Sequence, residues 1–387
     1  MSSWLSRLTR RAVAPAEQKS GAQTVLALTA LGEARWSRPG FATLASEGFT
    51  RNPVVYRCVR MIVEAAAHVP LAVEENGHRL AAHPLMALLA HPNPQGAGAG
   101  LFEGLYAYLE TAGNAYLQAV VLGDEVKALY ALRPDRMQAV PGRDGYPVAY
   151  NYTSGGRVTR FDQLGGAVPD ILHLTLFNPL DDCYGLAPLE AARQALDIHN
   201  ASAAWNKALL DNSARPSGAI VYSSAAGALS QSQFDRLKGE IELGFQGAFN
   251  AGRPMVLEGG LDWKTIAMTP KDMDFIEARN GAARDIALAF GVPPMLLGIP
   301  GDNTYANYAE ANKAFWRQTV IPLVRRVAAA LGHWLSPSFG GVTLVPDLDH
   351  IEALAEDRAA LWARIGTAPF LTDAEKRQML GIGDEAK

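Results

Sequence analysis

Residues 291–322, GVPPMLLGIPGDNTYANYAEANKAFWRQTVIP, constrain the fold more than any other part of the chain. The adjacent prolines at 293–294 end the helix that precedes them, because proline lacks the backbone N–H that continues a helix. Glycine and proline at 298–301 then predict a loop. A longer helix is expected to begin near Thr304 and to bend at Pro322, which lies in its interior. The segment therefore predicts two helices joined by a projecting loop.

The composition is that of an ordinary globular protein. The chain has 387 residues, of which 49% are hydrophobic and 19% charged, which predicts two or three compact units and excludes disordered and membrane-embedded classes. Its net charge of −4 disfavours a protein that grips the DNA backbone over a broad basic face.

Charge is distributed unevenly along the chain. Residues 1–60 carry nine basic and three acidic side chains, whereas residues 346–387 carry five basic and nine acidic ones. These biases indicate either two solvated surfaces or two partner-binding segments. The apolar run Val25–Leu31 follows basic residues but is too short to span a bilayer. A flexible basic N-terminal arm is the expectation, and no membrane association is expected.

The two cysteines, Cys58 and Cys183, are too few and too far apart for a disulfide framework or a zinc site. Cys58 belongs to a helical apolar pattern and is interpreted as a small core residue. A reducing cytoplasm fits this cysteine usage.

The remaining elements follow from periodicity and from capping signals. Asn52-Pro53 opens a helix that ends at Pro70, and Gln95–Gly100 is expected to be a flexible break before a helix over 101–112. Short β-rich runs over 115–177 predict a mostly antiparallel sheet packed on these helices.

The sequence of the second half of the chain predicts two long helices, at 188–212 and 271–290, on either side of a small α/β block. That block has a strand GAIVY, a helix capped by Ser230 and Gln233, and a hairpin over 255–268 that turns at Gly259-Gly260. The C-terminus predicts one strand, VTLVP, and two helices, the second with a Thr372/Glu375 capping box.

Catalytic motifs are absent from the sequence. It has no GxxxxGK[ST], HExxH, GxSxG or CxxC pattern, so the chain is not expected to be an enzyme or to carry a cofactor or metal. The glycines at 96, 98 and 100 do not complete a GxGxxG pattern. Five histidines are interpreted as core or capping residues rather than metal ligands: His68, His83, His91, His173 and His199.

Two sets of side chains leave a functional alternative open. Asp181-Asp182 and the pair Asp347 and Asp349 could hold Mg²⁺ for nuclease chemistry, or could be turn residues bonded to the local backbone. Tyr305, Tyr308, Phe315 and Trp316 could stack bases of single-stranded nucleic acid, but their neighbourhood is not basic and packing is the preferred interpretation.

Several segments, in order along the chain, resemble portal proteins of tailed phages of the HK97 type. They are NPVVYRCVRMIVEAAAHVPLAV, HPLMALLAHPNP, GNAYLQAV with LYALRPDRMQAV, DILHLTLFNP with YGLAPLEAARQAL, GVPPMLLG, and TYANYAEANKAFWRQTVIPLVRRV. The resemblance covers nearly the whole chain beyond about residue 45. The compact size also fits the portal of a phage-derived gene transfer agent.

The resemblance implies an α+β portal fold. Its parts would be an arm at 1–44, a wing at 45–183, stem helices at 184–213 and 270–290, an α/β clip at 214–269, a tunnel loop with a kinked long helix at 291–332, and a short crown at 333–387.

The resemblance also implies a function without catalysis. The chain would form a cyclic homo-oligomer, expected to be a dodecamer, at one capsid vertex. Double-stranded DNA would pass through it without sequence specificity, and a mildly acidic wall would let the DNA slide. The implied partners are the major capsid protein, the terminase large subunit and the head–tail adaptor. Assembly would take place in the host cytoplasm, and the final location would be the portal vertex of the particle. The alternatives are a metal-dependent nuclease and a non-ring adaptor or scaffold protein.

The resemblance assigns the channel-lining role to residues of the tunnel loop and the stem. The loop residues are Gly298, Pro300, Gly301, Asp302, Asn303, Thr304, Tyr305 and Asn307, and the stem residues are Lys271, Asp274 and Arg284.

Overall fold

The computed structural model describes residues 40–379 except for 124, 164, 165, 167, 212–217, 223–229, 231, 234, 237, 238, 240–260, 266–274 and 301–304. The chain consists of two compact units. The larger contains the described residues of Arg35–Ala208 and Pro270–Lys387, and the smaller contains those of Leu209–Thr269. Most of the predicted N-terminal arm lies outside the described residues. None of the helices in the described ranges is long and apolar enough to cross a membrane.

The larger unit contains most of the described helices. They are α1 (Phe41–Leu44), α2 (Pro53–Ala67), α3 (Pro84–Ala90), α4 (Gly98–Ala112), α5 (Pro188–Ala191), α6 (Arg193–Asp211), α7 (Phe275–Ala289), α8 (Tyr305–Phe315), α9 (Ile321–Leu335), α10 (Ala355–Gly366) and α11 (Asp373–Met379). The predicted helix over 188–212 is divided at Ala192 into α5 and α6. The start of the predicted helix 271–290 lies outside the described residues.

Helix α2 forms the centre of the core. The side chain of Asn52 accepts hydrogen bonds from the N–H groups of Val54 and Val55, at 3.0 and 3.1 Å, and so caps the helix as predicted. One face of α2 is buried, including Cys58, whose pKa burial raises to about 12. The interpretation of Cys58 as a core residue is therefore confirmed, and its thiol is unreactive.

Helix α4, which packs against α2, begins earlier than predicted. Residues 95–100 were expected to be a flexible break, but Gly98 and Gly100 lie in the first turn of α4. A Cβ at Gly98 would overlap the carbonyl oxygen of Leu89, so the glycine is explained by close packing on α3 rather than by flexibility.

The predicted antiparallel pairing over 115–177 is confirmed, but the strands form two three-stranded sheets rather than one. The strands of the larger unit are β1 (Leu71–Glu75), β2 (His78–Arg79), β3 (Asn114–Leu122), β4 (Glu125–Leu132), β5 (Met137–Pro141), β6 (Pro147–Ser154), β7 (Arg157–Asp162), β8 (Ile171–Thr175) and β11 (Thr343–Pro346). One sheet has the order β4-β3-β8 and the other β5-β6-β7.

An aromatic cluster joins these two sheets. Tyr116 of β3 stacks on His173 of β8 with ring centroids 4.2 Å apart, and the ring of Tyr150 of β6 packs edge-on to both. The ring nitrogens of His173 lie 3.0 Å from Asn114 Oδ1 and 3.2 Å from the Tyr150 hydroxyl. Burial lowers the pKa of His173, so the imidazole is neutral, and it then donates to Asn114 Oδ1 and accepts from the Tyr150 hydroxyl.

The C-terminal strand β11 joins the N-terminal half of the chain. It pairs antiparallel with β1, from Leu71 opposite Pro346 to Glu74 opposite Thr343, in a sheet of order β11-β1-β2. The predicted capping box at the start of α11 is also present, since Thr372 N–H donates to Glu375 Oε2 at 2.8 Å.

The smaller unit contains β9 (Gly218–Tyr222) and β10 (Leu261–Thr265), which pair antiparallel. The predicted strand GAIVY is β9, and the predicted capping box is confirmed by Ser230 N–H donating to Gln233 Oε1 at 3.0 Å. The Gly259-Gly260 turn and the first arm of the predicted hairpin lie outside the described residues.

Candidate functional site

Residues 291–322, which the sequence predicts to contain the loop, begin directly after helix α7, at Gly291. At the end of α7, Gly291 has a φ of 65°, and the N–H of Val292 donates to the carbonyl of Ala287 at 2.9 Å. The Thr319 hydroxyl donates to the carbonyl of Gly291 at 2.6 Å. A Cβ on Gly291 would approach that hydroxyl to 2.7 Å, so glycine is required both for the backbone conformation and for this contact.

The base of the predicted loop is a short 3₁₀ turn at Pro294–Leu297, which ends at Gly298 with a φ of 71°. Ile299 is buried, and the guanidinium of Arg284, from α7, donates to the carbonyl of Pro300. The first half of the loop is therefore anchored on both of its sides. Arg284 and Pro300 are sixteen residues apart, and no pattern in the sequence predicts that they are in contact.

The remaining residues of the predicted site are only partly described. Gly301, Asp302, Asn303, Thr304, Lys271 and Asp274 lie outside the described residues. Tyr305 begins α8, as expected from the helix predicted to start near Thr304, and Asn307 is exposed in its first turn. Of the predicted residues whose side chains are described, the structure brings Arg284 together with the backbone of Pro300.

The long helix is interrupted before Pro322. A π-helical turn at Trp316–Val320 separates α8 from α9, and the N–H of Ile321 donates to the carbonyl of Trp316, five residues earlier. Pro322 itself lies in the first turn of α9, where its missing N–H is best tolerated. The irregularity of the long helix is therefore a π-helical turn directly before the proline at which a bend is predicted.

Two ion pairs hold the interrupted helix against α10. Lys313 lies 3.0 Å from Glu356 and 3.2 Å from Glu310, and these carboxylates raise the pKa of its ammonium above the usual value. Arg317 pairs with Asp357. Because these pairs are largely exposed, they contribute orientation more than stability.

The described aromatic side chains of this segment, those of Tyr308, Phe315 and Trp316, do not form a stacking platform. Phe315 is buried and packs edge-on to Trp316, with ring centroids 6.5 Å apart, which confirms the packing interpretation for this pair. Tyr308 is half-exposed, and the side chain of Tyr305 lies outside what the structure describes.

In each acidic pair considered as nuclease ligands, the first carboxylate is bonded to the local backbone of a turn. Asp181 Oδ1 accepts from the N–H groups of Cys183 and Tyr184 at 2.8 and 2.9 Å, and Asp347 Oδ1 accepts from Asp349 N–H at 3.0 Å. Within the described part of the chain no group of three or more His, Cys, Asp or Glu side chains is placed to hold a metal ion.

The histidines also have structural roles. His83 caps α3 by accepting from the Leu85 N–H at 3.3 Å, and His173 and His199 belong to the interior, which confirms the core or capping interpretation for these three. His199 is part of a polar junction that sequence reasoning missed. Asn52 Nδ2 lies 2.9 Å from His199 Nδ1 and 2.8 Å from Asn200 Oδ1, so the start of α2 is joined to α6.

Comparison with known proteins extends this description. The family model for "Phage portal protein" matches residues 53–381. The portal protein of Enterobacteria phage HK97 is 25% identical over 357 residues, which cover 88% of this chain and 80% of the phage protein.

Solved structures give a closer match. One is a chain from the neck of an empty gene transfer agent (GTA) particle, computed with C6 symmetry, and it is 53% identical to this chain. The two superpose with a TM-score of 0.71, and the match covers 91% of this chain and 96% of that chain. A chain from the neck of a native GTA particle, computed with C12 symmetry, is 53% identical with a TM-score of 0.69, covering 90% and 94%. Since the family model spans most of the chain and the fold is shared, the chain belongs to the phage portal protein family.

Proposed function

We propose that this chain is the portal subunit of a gene transfer agent or a closely related phage-like particle. Copies of it form a closed ring at one capsid vertex, and double-stranded DNA passes through the ring without sequence-specific contact. The observation that carries the proposal is the 53% identity to neck chains of GTA particles over at least 90% of this chain. The C12 symmetry used for one of those necks supports a dodecamer. The role is structural, and the energy for DNA movement comes from another protein.

The partners follow from the position of such a ring. During assembly in the host cytoplasm it contacts the major capsid protein and the terminase large subunit, and in the finished particle the head–tail adaptor replaces the terminase. We assign the clip to residues 214–269, which fall within the smaller compact unit, and infer that the clip contacts these partners. The wing comprises residues 45–183, and the crown comprises 333–387.

The channel is narrowest, in this proposal, at the tunnel loop of residues 298–307. Its small and polar side chains suit weak contact with DNA of any sequence. The hydrogen bond from Arg284 to Pro300 supports this assignment, because it ties the base of the loop to stem helix α7. Lys271 and Asp274 belong to the same stem, and the alanine-rich stem helices form part of the contact between neighbouring subunits.

Electron microscopy of the purified protein, combined with its native mass, tests the proposal. The expected result is a ring of about a dozen subunits with a central hole wide enough for duplex DNA. If the protein is a monomer when purified alone, the same measurement is made after co-expression with the capsid protein. A compact dimer without a hole, or a persistent monomer in the presence of capsid protein, would contradict the proposal.

A divalent-dependent DNA cleavage assay separates the portal from the nuclease alternative. We expect no cleavage with Mg²⁺ or Mn²⁺, since Asp181 and Asp347 are engaged in backbone turns. Cleavage that disappears in Asp182→Asn, an acid whose loss leaves the turn intact, would favour the nuclease instead.

A further inference from the structure

The loop after β8 presents large apolar side chains to solvent from a well-defined backbone. Phe177 is 78% exposed and Leu180 is 93% exposed. The Asn178 side chain accepts from the Leu180 N–H at 3.0 Å and donates to the Tyr184 carbonyl at 3.0 Å. Asp181 adds the two backbone hydrogen bonds described above. A loop that is internally bonded in this way holds its apolar side chains out in a defined geometry, as an interaction surface requires.

This loop contacts β5 and the turn between β5 and β6, which lies at one end of the sheet β5-β6-β7. The Tyr184 hydroxyl accepts from the Ala139 N–H at 2.9 Å, and Cys183 Sγ lies 3.5 Å from the Gly145 carbonyl oxygen. The next residue, Tyr146, is 71% exposed. We call this the apolar–acidic end, formed by Asp144, Tyr146, Phe177, Leu180, Asp181 and Asp182. Arg143 is the one basic residue among positions 142–146 and 177–182.

The opposite end of the same sheet is basic. It lies where β6 ends and β7 begins, about eight residues or roughly 25 Å along β6. Arg136 Nη1 lies 3.3 Å from the Ser154 hydroxyl, Arg157 is exposed opposite Ser154, and Val158 is 58% exposed. We call this the basic end, formed by Arg136, Ser154, Arg157 and Val158. The nearby Arg133 and Arg160 are neutralised by Asp135 and Asp162, at 2.8 and 2.9 Å.

We propose that the apolar–acidic end of one subunit docks on the basic end of the next subunit in the ring. The inference rests on the proposed function, because a closed ring of more than two identical subunits needs two different, complementary faces on each subunit. The two ends carry opposite charge, and each has exposed apolar surface beside it. They cannot meet within one chain, since they lie at opposite ends of the same strands.

A two-fold contact, in which the apolar–acidic end pairs with the same end of another subunit, is less favourable. Pairing the apolar–acidic end with itself would bring three carboxylates and the single Arg143 against an identical set, so two surfaces of net negative charge would meet, which is unfavourable. A head-to-tail contact instead places those carboxylates near Arg136 and Arg157 of the neighbouring subunit and removes Phe177 and Leu180 from water. The charges select the neighbour and its orientation, while the apolar side chains supply most of the affinity.

The apolar contribution is tested with the double variant Phe177→Ser/Leu180→Ser. Both side chains are exposed in the single chain, so the fold should be retained, with a thermal unfolding curve close to that of the wild type. The ring fraction, measured by native mass and by electron microscopy at one protein concentration, should fall at least about tenfold. The matched control is Phe370→Ser, which removes an equally exposed side chain from the turn before α11 and should leave the ring fraction unchanged.

A charge swap tests the identity of the docking surface. Asp182→Lys and Arg157→Glu should each lower the ring fraction, and the two changes combined in one chain should restore it, because positions 182 and 157 then again carry opposite charges. Intact rings in the double serine variant, or no rescue by the combined charge swap, would overturn the inference while the portal assignment stands. If the wild-type protein forms no ring even with its capsid protein, the portal assignment fails and the inference fails with it.

Discussion

At the scale of single residues, Glu110 is a carboxyl group placed in an apolar core. It lies on α4, is 5% exposed, and burial raises its pKa to about 8. Below a pH of about 4.5 the carboxyl group is protonated in both the folded and the unfolded state, so its ionisation does not lower the free energy of unfolding. As the pH rises towards 8, the unfolded state releases the proton and the folded state keeps it, so the free energy of unfolding falls.

We therefore expect Glu110→Gln to raise the melting temperature at pH 9 and to have a much smaller effect at pH 4.5. The gain at pH 9 should correspond to a few kcal/mol, since each pKa unit is worth about 1.4 kcal/mol. Calorimetry at the two pH values measures it, with Glu75→Gln on the exposed end of β1 as the control. An equal effect of Glu110→Gln at both pH values would show that the carboxyl group is not held neutral.

His173 should make the larger compact unit less stable in acid, the opposite pH dependence to that of Glu110. Burial lowers the pKa of its imidazole to about 4. Below a pH of about 6.5 the imidazole is protonated in the unfolded state but stays neutral in the folded state. The free energy of unfolding therefore falls between pH 6.5 and pH 4, by up to ~3 kcal/mol.

His173→Gln should reduce this loss, because an amide can still donate to Asn114 and does not titrate. The urea midpoint measured from pH 7 to pH 4.5 should fall steeply for the wild type and less steeply for the variant. His78→Gln, an exposed position on β2, is the control and should keep the wild-type slope. The same slope in His173→Gln and the wild type would contradict the burial argument.

At the scale of elements, the packing of α4 requires glycine at one position of the helix but not at another. A Cβ at Gly98 would overlap the Leu89 carbonyl oxygen, whereas a Cβ at Gly104 would meet no atom within 4 Å. Gly98→Ala should therefore cost about 1–3 kcal/mol by forcing α3 and α4 apart. Gly104→Ala in the same helix should be neutral or stabilise by up to ~1 kcal/mol, because alanine is the better helix former. Denaturant unfolding of the two variants measures the difference, and a stable Gly98→Ala would mean that α3 moves freely.

At the scale of the whole molecule, the tunnel-loop assignment predicts how charge affects DNA passage. Asp302→Lys combined with Asn303→Lys would place two cations per subunit at the constriction and should slow or stall packaging by holding phosphates. The measurement is the length of DNA in particles assembled with the variant. Asp302→Asn, which removes a charge without adding a cation, is the control. Full-length DNA in the lysine variant would count against residues 298–307 as the channel lining.

Local physical rules determined much of this protein from sequence. The N-cap at Asn52, the capping boxes at Ser230 and Thr372 and the end of a helix before Pro293 depend only on residues a few positions apart. The order of motifs along the chain also indicated the portal family. By contrast, sequence reasoning read the 98–100 glycines as flexibility, because nothing local shows that a carbonyl of α3 lies against Gly98.

Only the tertiary structure decided which distant segments meet. The pairing of β11 with β1, the hydrogen bond from Asn52 to His199 and the anchoring of Pro300 by Arg284 join residues far apart in sequence. Such contacts depend on how whole helices and strands pack, and each partner alone is compatible with many neighbours. The exposed end at Phe177 and Leu180 has the same origin, since a sequence shows that a side chain is apolar but not that the fold leaves it uncovered.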